Sequence, residues 1–399
     1  MATPTVGVTN TEAPTASASP TESPLSTPAP TPTEEPQPTD VPTPPPAHPA
    51  GWSISAPVMT AIACETIDLL VDGSDGAHVV TECDGLIQYA ASHGTAGWST
   101  VTFGRAGGVV DRNPRLALDG QRLYAGYSQA VAQGGCGGEH FTQVGVYIRS
   151  RLLPGGAWSA ATRVGPIGDQ LESLAVHAGT LVLAVASLDG KAYLETVAGG
   201  ILQRYPYGGS AASVAVTPNG DVGLAYVTES GGLRYATLGG SRLTSTTVPG
   251  VPTEGGIVSD PQLAFDASGH PHLAFAFTSA GGCVVGESQL HGTYYATKAS
   301  GAWIDRRMAP LFGQTGLALD RGNGGVDILV DGGSESSRYG SVSLYTSKDG
   351  RSWARTELVS QALFDSALAL DPTSGRPVVA VVEPLGDSQT GQVFLFTQR

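Results

Sequence analysis

The side chains with the means to do chemistry are acids, histidines and arginines set between short apolar runs. Asp111 and Arg112 are adjacent, Glu139 precedes His140, and Asp260, Glu287, His291 and Arg338 follow at similar places later in the chain. Paired carboxylates can perform general acid/base work on a glycosidic bond. That makes Glu139, Asp260 and Asp111 the candidate catalytic groups, with Tyr127 or Tyr339 assisting. A surface rich in acid and poor in cation also suits a divalent cation such as Ca2+, or the hydroxyls of a neutral glycan, better than a carboxylated sugar. In that case Arg112, Glu139, His140, Asp260, Glu287, His291 and Arg338 are ligand-binding residues. Acids are also ordinary residues of solvated turns.

Four cysteines allow two disulfides in three connectivities. The expected pairs are Cys64–Cys83 and Cys136–Cys283, the second tying together two long segments, 128–143 and 278–291, that both carry Gly-Gly-Cys. The alternative is a zinc site made of Cys136, His140, Cys283 and His291. No Gly-x-Ser-x-Gly elbow, His-Glu-x-x-His pair or phosphate-cradling loop occurs.

These residues are positioned by a repeat. Seven copies open with an apolar run and a polar residue, as in Leu69-Leu70-Val71-Asp72, Leu116-Ala117-Leu118-Asp119 and Leu263-Ala264-Phe265-Asp266, roughly 40 to 58 residues apart. Each reads as four short strands bounded by Gly, Asn, Asp and Ser. The first run, apolar on successive residues, reads as the strand buried on both faces. Every tryptophan sits in a Gly-Trp phrase near the end of such a unit, at positions 52, 98, 158, 303 and 353. The last copy lacks this phrase, and Gly51-Trp52 supplies one ahead of the first copy. The expectation is an all-β, seven-bladed propeller over residues 51–399 closed by an N-terminal strand, or a six-bladed ring if the third or fourth copy is incomplete. The tryptophans are expected to pack under the outer strand of their own blades, with sugar stacking the other use open to them.

Residues 1–50 are Pro/Thr-rich, with no aromatic residue before Trp52 and no Lys or Arg. Such a segment cannot bury enough apolar area to offset its ordering entropy. It reads as a disordered stalk reaching on the order of 100–150 Å. Its composition resembles the stalks that follow the lipid anchor or export signal of bacterial surface proteins, which implies a chain at the cell surface or secreted, possible O-glycosylation, and an export signal or anchor upstream of Met1. The net charge of −14 argues against a nucleic-acid partner, and no apolar run is long enough to span a bilayer.

The nine residues Tyr345-Thr346-Ser347-Lys348-Asp349-Gly350-Arg351-Ser352-Trp353 resemble the Ser-x-Asp-x-Gly-x-Thr-Trp turn of the sialidase-like, Asp-box (bacterial neuraminidase repeat) propellers. The resemblance implies a structural turn between third and fourth strands, away from any active site. It covers the scaffold: the family's aromatic-Arg-Ile-Pro motif is missing, and Asp111-Arg112-Asn113-Pro114, the nearest segment, lacks both the aromatic and the aliphatic residue. Two functions stay open. One is a non-catalytic binding module recognising a glycan or a surface protein through the loop face; the other is a secreted glycoside hydrolase using the carboxylates of that face.

Overall fold

The computed structural model describes residues 49–62, 64–74, 76–92, 97–104, 109–133, 140–252, 256–279, 290–310, 313–320, 322–333, 340–362, 365–384 and 390–399. They belong to one compact unit, Pro45–Arg399. Two short strands come first, β1 (Trp52–Ile54) and β2 (Met59–Ile62). Blade 1 follows as β3 (Cys64–Val71), β4 (Ala77–Cys83), β5 (Leu86–Ser92) and β6 (Trp98–Thr102). Blade 2 is β7 (Val109–Asp119), β8 (Arg122–Gln133), β9 (His140–Leu152) and β10 (Thr162–Val164). Blade 3 is β11 (Asp169–His177), β12 (Thr180–Ser187), β13 (Ala192–Ala198) and β14 (Ile201–Tyr207). Blade 4 is β15 (Ser210–Val216), β16 (Val222–Val227), β17 (Leu233–Gly239) and β18 (Arg242–Thr247). Blade 5 is β19 (Gly256–Phe265), β20 (Pro271–Ser279), β21 (Gly292–Thr297) and β22 (Ile304–Ala309), and blade 6 is β23 (Gln314–Leu319), β24 (Val326–Gly333), β25 (Gly340–Ser347) and β26 (Ala354–Ala362). Blade 7 holds β27 (Ser366–Leu370), β28 (Pro377–Pro384) and β29 (Thr390–Gln398).

All pairings are antiparallel, and the first strand of each blade touches the first strand of the next, with β27 returning to β3. The result is a seven-bladed propeller, and the third and fourth copies each form a full blade. The ring closes as the displaced Gly-Trp phrase requires. β1 pairs with β29 through Trp52↔Gln398 and Ile54↔Phe396, and β2 extends that pairing through Met59↔Val393. The seventh sheet therefore has no open outer edge at this seam. We call the end carrying the second-to-third-strand turns the top; Trp52 and Gln398 then lie at the bottom.

Burial departs from the expected gradient. The second strand, not the first, is covered throughout: β4 is buried at every position, its His78, Thr81 and Glu82 included, whereas β11 and β27 are only half-buried at most positions. A second strand is sandwiched between neighbouring blades on both faces. A first strand has one edge on the ring axis, so part of it stays open.

The tryptophans also pack differently from expectation. Trp158 of blade 2 meets Tyr89 and Phe103 of blade 1 edge-on, with ring centroids 4.9 and 5.1 Å apart. Trp303 of blade 5 meets Tyr235 of blade 4, and Trp353 of blade 6 meets Tyr295 of blade 5 in the same way. Each of these rings closes a seam with the preceding blade, where edge-to-face aromatic contact adds to area burial. Two of the tyrosines carry the contact onward. Tyr89 is hydrogen-bonded to His78 (2.7 Å), which is bonded to Asp72 (3.1 Å); Tyr295 is bonded to His272 (2.6 Å), which faces Asp266 at 3.6 Å. The Asp-His-Tyr-Trp series runs from a bottom turn to the next blade; along it His272 Nε2 and the indole N–H groups of Trp158 and Trp353 stay without a hydrogen-bond partner.

Within the turn that carries the resemblance, Ser347 Oγ accepts from Gly350 N (2.9 Å) and Asp349 Oδ1 accepts from Arg351 N (2.8 Å) and Ser352 N (3.0 Å). It joins β25 to β26 at the bottom, as a structural turn should.

The Cys64–Cys83 disulfide is formed and pins the top of β3 to β4; the Cys136–Cys283 pairing and the zinc alternative fall outside the described residues. The bridge closes a short loop, with its cysteines 19 residues apart. Chain-entropy reasoning assigns such a loop about 3 kcal/mol. Replacing both cysteines by alanine is therefore expected to lower the denaturant midpoint measurably without changing the circular-dichroism spectrum.

Candidate functional site

A well of about 450 Å3 opens along the ring axis, lined by residues from the first strands of all seven blades. Its charged lining consists of Asp68, Arg115, Glu172, Asp260 and Asp365. Four carboxylates thus face one guanidinium.

Most of these acids are held by the neighbouring blade. Asp68 accepts Leu116 N across the seam of blades 1 and 2 (2.7 Å). Glu172 accepts Ala211 N and Ala212 N of blade 4 (both 3.2 Å) and the Tyr207 hydroxyl (3.0 Å). Asp260 accepts Thr315 N of blade 6 (2.9 Å), while its own carbonyl accepts the Thr315 hydroxyl (2.7 Å). Serines do the same elsewhere: Ser128 holds Leu171 N, Ser173 holds Val214 N and Ser213 holds Leu263 N. A first strand has no partner on its axial edge, so its N–H groups would be buried unsatisfied without these acceptors. Arg115 instead donates to the carbonyls of Glu172 (3.1 Å) and Pro114 (2.9 Å).

The electrostatics follow from this geometry. Burial raises the Asp68 carboxyl above its ordinary range, opposed by Arg115 and by the two N–H groups it accepts. Burial likewise raises Asp260 and Glu172, with the same guanidinium opposing it in both. Arg115 is the counter-charge shared by three acids.

The sequence-derived candidates disperse in the structure. Asp260 lines the well, with its backbone in the left-handed region (φ 54°). Asp111 is fully buried inside blade 2, where Gln129 donates to it (2.9 Å). Arg112 lies 3.5 Å from Glu82, which also accepts Asn113 N (3.2 Å), so this group bridges blades 1 and 2. His291 stands at the top of blade 5, directly before β21. His140 opens β9 opposite Gln133, and its side chain is outside the described residues, as are Glu139, Glu287, Arg338 and Tyr339. Tyr127 is fully buried among Phe103, Leu123 and Tyr89 and takes a hydrogen bond from Arg149 (3.2 Å), so it is a core residue. Of the remaining turn acids, Glu82, Asp331 and Glu383 are buried rather than solvated.

Asp68 and Arg115 are the residues that reading the turns misses. Both stand immediately before the apolar run of their copy, a position otherwise held by Ser173, Ser213, Gln262, Gly316 and Ala367. All seven of these residues line the well, and five of them are polar.

No protein-family model and no curated protein sequence matches the chain. Solved structures do. One is a protein of unknown function from Dyadobacter fermentans, 11% identical, covering 88% of this chain and 100% of that one at a TM-score of 0.51. AofleA from Arthrobotrys oligospora is 11% identical over 78% of this chain and 90% of its own, with a TM-score of 0.50. A polysaccharide lyase of family PL25, an ulvan lyase bound to -[GlcA(1-4)Rha3S]-, is 12% identical over 86% and 94%, with a TM-score of 0.54. At this identity the likeness concerns the fold.

Proposed function

We propose that this protein is a surface or secreted binding module of the sialidase-like propeller kind that receives the end of a neutral glycan in its axial well. One observation carries the reading: three of the four acids around the well, Asp68, Glu172 and Asp260, are engaged as acceptors of main-chain N–H groups from the adjoining blade. Carboxylates fixed in this way keep the well's shape and offer their remaining lone pairs to ligand hydroxyls. A general acid or nucleophile needs a group at liberty to exchange a proton or bond with substrate, so the hydrolase reading is the weaker one.

Three further features support it. The volume of about 450 Å3 falls within the roughly 300–1,000 Å3 of small-molecule sites. Four acids against one arginine oppose a uronate or sulfate, so the anionic repeat bound by the ulvan lyase is a poor fit here, although that complex makes a glycan a reasonable occupant of such a ring. Both described ends of the chain meet at the bottom, where Arg399 N donates to Gly51 O (2.8 Å), leaving the well's mouth on the opposite face. A disulfide fits an oxidising, extracellular setting, and no helix among the described residues is long and apolar enough to cross a membrane.

The test is a glycan array run beside chromogenic glycosides and an assay for unsaturated uronate. Saturable binding to neutral glycans without turnover is expected, weakened about tenfold, the cost of roughly one hydrogen bond to a charged group, in Asp68→Asn. Turnover of any glycoside, lost in Asp260→Asn, would sink the proposal.

A further inference from the structure

The rim around the well is uneven, and the hydrogen bonds between blades allow its height to be compared. Ser128 of β8 holds Leu171 of β11, and Leu171 is paired with Val185 of β12. Above that level β8 continues for five residues (129–133) but β12 for only two (186–187). The three-residue difference raises blade 2 over blade 3 by about 10 Å at roughly 3.3 Å per residue. On the other side, Ser213, paired with Ala225 of β16, holds Leu263, paired with Leu273 of β20. Here β20 continues for six residues (274–279) and β16 for two (226–227). Blade 5 stands over blade 4 by about 13 Å on the same scale.

Blades 3 and 4 therefore form a low sector between two taller walls. The surface within it is continuous with the well. Ala211 lines the well and is exposed, Ser210 beside it is exposed, and Gly208 and Gly209 carry the path outward next to the short turn Thr228–Gly232. On the blade 3 side two aliphatic side chains project, Ile167 (68% exposed) and Leu188 (62% exposed). They are held together by the hydrogen bond from Leu188 N to Gly168 O (3.2 Å). The turns here are closed on themselves, with Gly232 O and Gly231 N both bonded to Thr228, so no free strand edge invites a polypeptide to pair.

We infer that the ligand is a polymeric glycan whose end sits in the well and whose following residues leave over blades 3 and 4, past Ser210, the 228–232 turn and the Ile167–Leu188 knob. This rests on the glycan reading of the well. The glycine- and serine-lined floor admits a chain closely and bonds its hydroxyls, while Ile167 and Leu188 cover the C–H face of a sugar ring.

The experiment is calorimetric titration with cello-, manno- and laminari-oligosaccharides of two to eight units. The variants are Ile167→Asp and Ser230→Trp, with Ile201→Asp as control, a residue equally exposed (68%) at the bottom of the same blade. Affinity is expected to rise at least tenfold between two and six units in the wild type and in Ile201→Asp. Ile167→Asp and Ser230→Trp should keep the disaccharide affinity and lose the rise. Affinity that does not depend on length, or a rise that survives both rim variants, overturns the exit path while leaving the well intact. Binding of no oligosaccharide at any length overturns the glycan reading of the well, and this inference with it.

Discussion

Replacing Trp52 by alanine is expected to lower stability by about 3–5 kcal/mol, the usual cost of emptying a buried aromatic site. Trp52 is only 3% exposed although it belongs to a three-residue strand. Its indole lies among Leu329, Leu344 and Leu358 of blade 6 and Val381, Phe394 and Phe396 of blade 7. The strand it anchors is otherwise tied by a few bonds, among them Arg399 N to Gly51 O and Leu395 N to Ser55 Oγ (3.1 Å). Losing the ring weakens packing across the 6–7 seam and the hold on blade 7 of the N-terminal strands that lead into blade 1. Denaturant unfolding followed by tryptophan-independent circular dichroism should show the midpoint falling with an unchanged slope. The same substitution at Trp303, half-buried against Tyr235 in a blade closed by its own chain, should cost less. Equal losses at the two positions would show that ring closure adds nothing special.

How much of this was legible in the sequence differs from residue to residue. The Gly-Trp phrase at 51–52 told the domain boundary and the mode of closure, because a repeat with a part missing at one end and a spare at the other has one simple cyclic solution; the seven apolar runs left a six-bladed ring open until the third and fourth copies each proved a full blade. The Cys64–Cys83 pair followed from proximity in one blade. What failed rested on assuming that a strand's composition reports its depth. First strands look apolar, yet their axial edge is open; Asp68 and Arg115 sit there beside the apolar runs, outside the turns where candidate residues were sought. Asp111 and Tyr127 looked like surface chemistry because they lie near a long segment, and only the pairing of β7 with β8 shows them turned inward. The seam contacts, Trp158 on Tyr89 or Asp260 on Thr315, link residues 69 and 55 positions apart, and a single sequence carries no record of such pairs.

Between pH 5 and 8 the melting temperature is expected to fall as pH rises, by on the order of 5 °C. Four buried acids set the direction. Burial, reinforced by Asp169, pushes Glu195 up to about 7, although Arg204 lies 2.6 Å from it. Burial pushes Asp327 up to about 7, with Asp320 adding to it, and Glu383 up to about 7 alone. Burial pushes Asp331 up to about 6, opposed by the nearby Ser366 hydroxyl and reinforced, less strongly, by Asp260. In the unfolded chain such groups titrate near 4. Below that value both states are protonated and the groups cost nothing; through the window from about 4 to 7 the unfolded state ionises first, so stability is lost as pH rises. The turn acids Asp266 and Asp371 behave oppositely, since hydrogen bonds from His270, Thr373 and Ser374 outweigh burial and hold them low. Their contribution is present above about pH 4 and disappears below it, which places the optimum near pH 5. Glu383 isolates the effect, because its Oε1 has no hydrogen-bond partner and its shift comes from burial alone. Glu383→Gln should raise the melting temperature at pH 8 and leave it nearly unchanged at pH 5, flattening the profile. A wild-type profile that climbs from pH 5 to 8, or a Gln variant with an unaltered slope, would show that these carboxyls are solvated in solution.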